Sequence, residues 1–199
     1  MRNDSVGLIL LAAGSSSRMG EPKQLLPIGG IPMVRRATVA ALASLCRPVV
    51  VVVGANADAV TAALEGLPVS IAINPAWASG MGTSIQAGIR SLPESVDGAV
   101  LALADQPLIT SDIYDDLVRL ASEAGRPIVA SRYAGTVGVP VLFSRAYFPN
   151  LLALAPSQGC KGVIQANLAN ALLVDCPDAE VDVDTRESYE QLAQVAASP

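Results

Sequence analysis

Short apolar runs separated by helix-like stretches are the feature that most constrains the fold of this chain. Seven such runs lie at residues 6–11, 48–53, 69–73, 99–104, 127–130, 140–143 and 171–174. Several are apolar at nearly every position and do not alternate with polar residues, which indicates strands buried on both faces. Strands that take turns with helices in this way predict an α/β fold with a mostly parallel sheet.

The predicted helices between these runs carry end signals. Pro32 suits the first turn of one helix, because its missing N–H needs no partner there. Asn56 is a candidate cap of the next helix, and Thr110 or Ser111 of a later one. Asp184, with a glutamate three residues on, is typical of a capping arrangement for the last helix.

The composition favours one compact domain over the whole of residues 1–199. Hydrophobic residues make up 51% and charged residues 16%, which is enough to bury a core and argues against disorder. No apolar run reaches the roughly 18 residues that a membrane span needs. A formal charge of -5 disfavours contact with nucleic-acid phosphates. The sequence therefore predicts neither a membrane protein nor a nucleic-acid binder.

The chain contains no histidine, and this excludes several kinds of enzyme. Ser–His and Cys–His nucleophile pairs and histidine metal sites all need an imidazole. The three cysteines, Cys46, Cys160 and Cys176, are widely spaced and odd in number, which is typical of a reducing compartment without a disulfide framework. We therefore expect a cytoplasmic protein, although residues 6–13 also look like a short signal peptide, which Asp4 suits badly.

The stretch LILLAAGSSSRMGEPKQLLP, residues 8–27, begins as a buried strand and continues as a polar loop. Ligands of open α/β sheets bind at the carboxyl ends of strands. Gly14 and Gly20 let backbone amides approach a ligand closely, and three serines add hydroxyl donors. Arg18 and Lys23 could bind phosphate oxygens. The loop is typical of a polyphosphate site, and the alternative is a polar turn with an arginine and a lysine at the surface.

This loop matches neither of two common phosphate-binding patterns. The P-loop pattern G-x-x-x-x-G-K-[ST] fails, because Gly14 and Gly20 are one residue too far apart and Glu21 stands in place of the lysine. The dinucleotide pattern G-x-G-x-x-G is also absent.

The string LAAGSSSRMGEPKQLLPIGGIPMV resembles the signature L-A-[AG]-G-x-S-x-R-M-G-x-x-K of nucleotidyltransferases related to molybdopterin guanylyltransferase. Within that superfamily the chain resembles the molybdenum cofactor cytidylyltransferase branch most. The resemblance continues through NPAWASGMGTSIQAGI, LALADQPLIT, GVPVLFSRAYFPNLLAL and VDVDTRESYEQL. It implies a Rossmann-like, three-layer nucleotidyltransferase fold, known as the nucleotide-diphospho-sugar transferase fold. It also implies Mg²⁺ dependence and release of pyrophosphate.

Asp105 is the main candidate for the metal. It follows an apolar strand, so its carboxylate emerges at the strand's carboxyl end, where it could hold Mg²⁺ together with substrate phosphates. An ordinary turn residue is the alternative, but Asp-Gln-Pro stands where the resembling family has its metal-binding aspartate. Asp184 is the second candidate metal ligand, with helix capping as its alternative, and Asp182 is explained equally well by an exposed strand.

The segment NPAWASGMGTS is expected to lie beside the nucleotide, before a helix beginning near Thr83. Helix N-termini present N–H groups to anions. Trp77 is expected to pack in the core. The residues expected to bind the nucleotide are Leu11, Ala12, Ala13, Gly14, Ser15, Lys23, Asn74, Gly80, Ser84 and Asp105.

Two segments depart from the cytidylyltransferase branch. That branch commonly has Gly-His-Pro at residues 138–140, where this chain has Gly-Val-Pro. It has Gly-Asp-x-Gly-Ala-Arg at residues 156–161, where this chain has Pro-Ser-Gln-Gly-Cys-Lys. These differences bear on the acceptor substrate more than on the nucleotide. Cys160 is expected to be a small apolar filler, because no neighbouring group would activate its thiolate.

The expected catalytic residues are Arg18, Lys23 and Asp105, which hold phosphates, offset charge and fix the metal. Positioning and electrostatics supply most of the acceleration in such a transfer, and an ionised phosphate nucleophile needs no general base. The expected substrates are CTP and molybdopterin or its metal-loaded form, and Ala13 favours cytidine by resemblance alone. The alternatives are GTP, another phosphorylated acceptor such as a sugar or methylerythritol phosphate, and a nucleotide- or pterin-binding chaperone. A molybdenum hydroxylase is the expected client.

Overall fold

The computed structural model describes residues 5–17, 19–183 and 185–197, the last five as backbone alone. Two of the predicted site residues, Arg18 and Asp184, lie outside the described residues. Strands and helices alternate along most of the chain, as predicted.

The strands are β1 (Val6–Ala12), β2 (Pro27–Ile28), β3 (Ile31–Pro32), β4 (Val49–Val53), β5 (Ser70–Ile73), β6 (Gly98–Leu103), β7 (Ile128–Tyr133), β8 (Thr136–Ser144) and β9 (Ala171–Asp175). The helices are α1 (Met33–Ala43), α2 (Ala57–Ala63), α3 (Met81–Arg90), α4 (Ser111–Ala124), α5 (Phe148–Leu152), α6 (Lys161–Ala166) and α7 (Arg186–Ala197).

Seven of these strands form one sheet in the order β5-β4-β1-β6-β8-β7-β9. Strand β8 runs antiparallel to both of its neighbours, and the other strand pairs are parallel. The prediction of an α/β fold with a mostly parallel sheet is therefore confirmed. All seven predicted strands are present, with small shifts at their ends. The parallel pairing places the carboxyl ends of β1 and β6 side by side.

Helices cover both faces of the sheet and enclose two hydrophobic cores. On β1, Leu8 and Leu10 point into the core shared with α1, α2 and α4. Ile9 and Leu11 point into the core shared with α3, α5 and α6. Leu8, Ile9 and Leu10 are completely buried, and burying each such side chain contributes about 1.5 to 3 kcal/mol. This is the physical reason why the strand is apolar at successive positions.

The helix ends differ from the prediction in their caps. Asn56 precedes α2, but its backbone is left-handed at φ 59, and its side chain makes no capping hydrogen bond with a described residue. Thr110 precedes α4 and makes no such bond within the same ranges. At the start of α7, Thr185 Oγ1 accepts a hydrogen bond from Ser188 N at 3.2 Å. Tertiary packing of their apolar faces on the core therefore stabilises α2 and α4 without a capping bond from Asn56 or Thr110.

All three cysteines are buried and none forms a disulfide, as predicted. Burial raises the pKa of Cys46 to about 11 and that of Cys160 to about 12. Both thiols are therefore protonated at neutral pH and serve as small apolar side chains.

No helix within the described ranges combines the length and the apolar character needed to cross a membrane.

Candidate functional site

A cavity of about 460 Å³ lies at the carboxyl ends of β1 and β6. Ligands of parallel sheets bind at this edge. The strand ends, the loop after β1, the loop before α3 and residue 182 all contribute to the wall. The lining residues are Leu11, Ala12, Ala13, Gly14, Ser15, Lys23, Gln24, Trp77, Ala78, Gly80, Met81, Ser84, Leu103, Ala104, Asp105 and Asp182.

The loop after β1 is held closed by side chains at its own end. Ser16 has a left-handed backbone, with φ 55, and its Oγ accepts a hydrogen bond from Lys23 N at 3.0 Å. The same hydroxyl donates to Gln24 Oε1 at 3.2 Å, and Gln24 Nε2 donates to the carbonyl of Gly14 at 2.7 Å. These contacts fold residues 14–24 into a compact loop whose two ends meet.

An ion pair joins this loop to the neighbouring strand. Lys23 Nζ lies 2.5 Å from Asp105 Oδ2, and the two side chains are only 14% and 18% exposed. Such shielding from solvent makes a pair less sensitive to salt than a surface pair. Both residues are predicted to belong to the site from separate segments of the sequence, and the fold brings them into contact.

The second oxygen of Asp105 is available to a further ligand. Asp105 Oδ1 is buried and has no hydrogen-bond partner among the described residues, which is costly unless something else occupies that position. Val183 N donates to the backbone carbonyl of Asp105 at 3.0 Å, and this brings the neighbouring Asp182 into the cavity wall. Two carboxylates at one wall are the hard oxygen ligands that a divalent cation prefers.

Asp105 and Asp182 do not make a complete metal cage. The described part of the chain has no group of three or more acidic or cysteine side chains that could hold a metal. A divalent cation here would therefore complete its coordination with substrate phosphates and water, as Mg²⁺ commonly does.

The opposite wall is organised by Asn74, which follows β5. Asn74 is only 3% exposed, and its Nδ2 donates to Ser84 Oγ at 3.0 Å and to Thr83 Oγ1 at 2.8 Å. Its Oδ1 accepts from Ala76 N at 3.0 Å. Asn74 itself does not line the cavity, whereas Ser84 does. Asn74 instead holds the loop before α3, which forms this wall.

Trp77 belongs to both the core and the cavity. It packs against the core beneath α3, as the sequence predicts, and it also lines the cavity. A Cβ added to Gly54 would lie 2.6 Å from Trp77 Cβ, so Trp77 can approach this closely only because a glycine faces it.

The two segments that depart from the cytidylyltransferase branch lie directly behind the cavity wall. Gly82 N donates to the carbonyl of Pro156 at 2.9 Å, which places residues 156–161 against the loop before α3. Gln106 Nε2 donates to the carbonyl of Val139 at 3.3 Å, which places residues 138–140 against the residue after Asp105. Neither segment contributes to the cavity lining.

The predicted site residues thus fall into three groups. One group lines a single cavity, Asn74 supports it from behind, and Arg18 and Asp184 lie outside the described residues. Gln24 and Asp182 also line the cavity; Gln24 is not among the predicted residues, and the sequence alone does not decide the role of Asp182. A polar residue beginning the apolar run QLLP was the available signal for Gln24. The residues predicted to bind the nucleotide that line this cavity are Leu11, Ala12, Ala13, Gly14, Ser15, Lys23, Gly80, Ser84 and Asp105, and their contact with a nucleotide stays a prediction.

Comparison with known proteins gives a family that agrees with this arrangement. The MobA-like NTP transferase domain family matches residues 8–171. Nicotine blue oxidoreductase of Paenarthrobacter nicotinovorans is 32% identical over 92% of this chain and 94% of its own length. Purine catabolism protein PucB of Bacillus subtilis is 30% identical over 96% of this chain and 98% of its own length.

Solved structures agree as well. Rv0371c from Mycobacterium tuberculosis is 28% identical, covers 98% of this chain and 100% of its own, and has a TM-score of 0.82. A second structure of Rv0371c, in complex with manganese, is 27% identical over 96% of this chain and 98% of its own, with a TM-score of 0.76. A nucleotidyl transferase from Methanothermobacter, 20% identical over 96% of this chain and 97% of its own with a TM-score of 0.81, shows the same fold. Because the family match extends from β1 to the first residue of β9, and a paired lysine and aspartate stand at the cavity it encloses, the chain belongs to the MobA-like NTP transferases and is a nucleotidyltransferase.

Proposed function

We propose that this enzyme transfers the CMP unit of CTP to the phosphate of molybdopterin, or of its metal-loaded form, and releases pyrophosphate. The observation that carries the proposal is the ion pair of Lys23, in the loop after β1, with Asp105, which follows β6. Both residues line the cavity. A cation for phosphate oxygens and a carboxylate for a metal stand next to each other, which is what the transfer of a charged phosphoryl group requires.

In the proposed reaction the chain positions the two phosphates that react, the α-phosphate of CTP and the phosphate of the acceptor. An oxygen of the acceptor phosphate attacks the α-phosphorus of CTP, the bond from that phosphorus to the bridging oxygen breaks, and pyrophosphate leaves. Gly14 and Ser15 offer backbone N–H groups to the leaving phosphates, and Arg18 is proposed to join them. Lys23 offsets the charge that develops on the bridging oxygen. The acceptor phosphate is already ionised, so no side chain has to remove a proton.

Asp105 and Asp182 are the residues we propose to hold a divalent cation, with Asp184 as a further candidate. Mg²⁺ is the expected ion, and a relative's structure with manganese supports a divalent metal at this fold. When bound, the cation would neutralise phosphate charge as the transition state forms. Asp105 Oδ1, which is buried and accepts no hydrogen bond from the part of the chain that the structure describes, is the atom that fits this role.

CTP is proposed over GTP because Ala13, which lines the cavity, is a glycine in the guanylyl-transferring proteins that the chain resembles. Molybdopterin is proposed as the acceptor because of the family to which the chain belongs. Since the two segments behind the cavity wall depart from the cytidylyltransferase branch, other phosphorylated acceptors should be tested as well. A binding protein that delivers the pterin to a molybdenum hydroxylase would use the same cavity without turnover.

Pyrophosphate release from each of the four nucleoside triphosphates, with and without molybdopterin and with and without Mg²⁺, tests the proposal. Fastest release with CTP, molybdopterin and Mg²⁺ together is the expected result. Fastest release with GTP would replace the donor, and release with a sugar phosphate but not with molybdopterin would replace the acceptor. Saturable nucleotide binding without metal-dependent pyrophosphate would show a delivery protein.

One relative carries the name of an oxidoreductase, so a separate arm follows the reduction of nicotine blue with reduced nicotinamide as electron donor. The proposal expects no reduction above a protein-free control. Reduction without pyrophosphate release would overturn it.

Asp105→Asn isolates the metal's part of the site, because it keeps the size of the side chain and removes its charge. We expect the stabilisation against heating by CTP to lose its dependence on Mg²⁺, since a ligand stabilises only the state that it binds. Asp112→Asn, at an exposed aspartate in the first turn of α4, is the matched control and should keep that dependence. An Asp105→Asn variant that still responds to Mg²⁺ like the control would contradict the assignment.

A further inference from the structure

Gln24 holds the loop after β1 from inside the protein. It is only 3% exposed, yet it contributes to the cavity wall. Its Nε2 donates to Gly14 O at 2.7 Å and lies 3.4 Å from Ala12 O. Its Oε1 accepts from Ser16 Oγ at 3.2 Å. Both ends of one carboxamide are therefore used on the loop that precedes it.

The contact with Gly14 O sets the direction of the next amide. The peptide bond between Gly14 and Ser15 is trans, and in a planar trans peptide the C=O and the following N–H point in opposite directions. Because the carbonyl of Gly14 faces Gln24, the N–H of Ser15 faces away from it. If this peptide turned over, a carbonyl oxygen would replace the N–H and would repel a phosphate oxygen.

We infer that Gln24 is a positioning residue for the triphosphate, which fixes the Gly14–Ser15 peptide so that the N–H of Ser15 is presented to phosphate oxygens. The inference rests on the proposed function, because it assigns the phosphates to this loop. Gln24 acts through the backbone and does not itself need to touch the ligand.

Ser16 helps Gln24 to fix the Gly14–Ser15 peptide. Its left-handed backbone turns the chain so that one hydroxyl can reach both Gln24 Oε1 and the backbone N–H of Lys23. The carboxamide can thus present its N–H₂ to Gly14 only in one orientation, because its oxygen is taken up by the hydroxyl. The same hydroxyl links the orientation of the peptide to the position of Lys23 at Asp105.

Gln24→Met tests the inference, since methionine is similar in size and cannot donate to Gly14 O. The probe is inorganic tripolyphosphate with Mg²⁺, whose affinity is measured by calorimetry. We expect the variant to bind tripolyphosphate at least about tenfold more weakly. This is the effect of losing one hydrogen bond to a charged group, here the bond from Ser15 N–H to a phosphate oxygen. Gln86→Met is the matched control, because Gln86 donates to Leu154 O at 2.8 Å and does not line the cavity. It should keep wild-type affinity.

Two further readouts separate positioning from general damage. The amide signal of Ser15 in a ¹⁵N NMR spectrum should shift on addition of tripolyphosphate in the wild type and not in Gln24→Met. Ser16→Gly covers the case in which Gln24→Met does not fold, because glycine accepts the left-handed backbone and lacks the side-chain hydroxyl that binds Gln24. It should weaken tripolyphosphate binding in the same direction.

The outcomes distinguish this inference from the proposed function. Equal tripolyphosphate affinity in Gln24→Met and Gln86→Met, or in Ser16→Gly and the wild type if Gln24→Met is unfolded, would overturn the inference even if the wild type makes pyrophosphate. A wild type whose affinity for tripolyphosphate is lowered by Gln24→Met, but which forms no pyrophosphate from any nucleotide, would support the inference and refute the proposed function.

Discussion

Two loops face each other across the cavity, and they are held in different ways. The loop after β1 is held by Ser16 and Gln24, which lie within ten residues of their partners. The loop before α3 is held by Asn74 from nearby and also by Pro156, which accepts a hydrogen bond from Gly82. The hydrogen bonds that hold the backbone of the first loop are therefore local, whereas the backbone of the second is also held by a distant part of the chain.

This difference teaches where changes in sequence can alter the site. The loop after β1 carries part of its support within itself, and its link to the rest of the site is the ion pair of Lys23 with Asp105. The other wall rests on Pro156, which belongs to the segment at residues 156–161 that departs from the cytidylyltransferase branch. The second wall is thus the one that substitutions far along the chain can reshape.

The largest expected effect is on kcat, when the positive charge of Lys23 in the loop after β1 is removed. Lys23→Ala should lower kcat by about 10² to 10³, because removing one group that stabilises transition-state charge typically costs this much. Arg90→Ala also removes a positive charge, at an exposed position at the end of α3, and should stay near the wild-type rate. Steady-state pyrophosphate release measures both, and a loss below about tenfold for Lys23→Ala would count against its role.

Gly80→Ala would break the distant support of the second wall. Gly80 has φ +125, and an added Cβ would lie 2.6 Å from the carbonyl oxygen of Pro156. Gly135→Ala is the matched control, with φ +71 and nothing within 4 Å of the added atom. The control should cost about 1 kcal/mol for backbone strain, and Gly80→Ala about 1 to 3 kcal/mol more for the clash. Urea unfolding measures both, and equal costs would show that the wall does not rest on Pro156.

The smallest expected effect is a pH dependence of the free energy of unfolding that comes from Cys160. Cys160 is buried at the end of the distant support, and its pKa is raised from 9.0 to about 12. A thiol with a raised pKa in the folded state contributes fully below the unfolded pKa, and its contribution falls as pH rises toward the folded one. Between pH 8 and pH 10 the free energy of unfolding should fall by about 1 kcal/mol from this thiol. Denaturant unfolding of Cys160→Ala should lack this part of the slope, and an unchanged slope would contradict the assignment.

The strands were predictable because their apolar runs are continuous and end at polar turns. Short elements were not predictable from the pattern. Helices α5 and α6 have five and six residues, too few for a helical period to stand out, and β2 and β3 have two residues each. The antiparallel direction of β8 depends on a tight turn at residues 134 and 135, whose left-handed backbone the sequence does not make obvious.

Much of the candidate site could be read from the sequence, because its residues follow strand ends that a parallel sheet brings together. Asn74 shows the limit of this reasoning, since a polar residue after a strand is equally suited to a ligand and to a loop. Asp182 shows another limit. Its place beside Asp105 depends on the path of the chain after β9, where Val183 is bound to the carbonyl of Asp105. No local pattern predicts that contact.

The position of Trp77 gives the protein a built-in optical signal. It is the chain's single tryptophan, and it forms part of the cavity wall. All indole fluorescence therefore originates at this wall, without interference from elsewhere in the chain. Entry of a nucleotide or a pterin should change the emission, so occupancy of the cavity can be followed in the unlabelled protein.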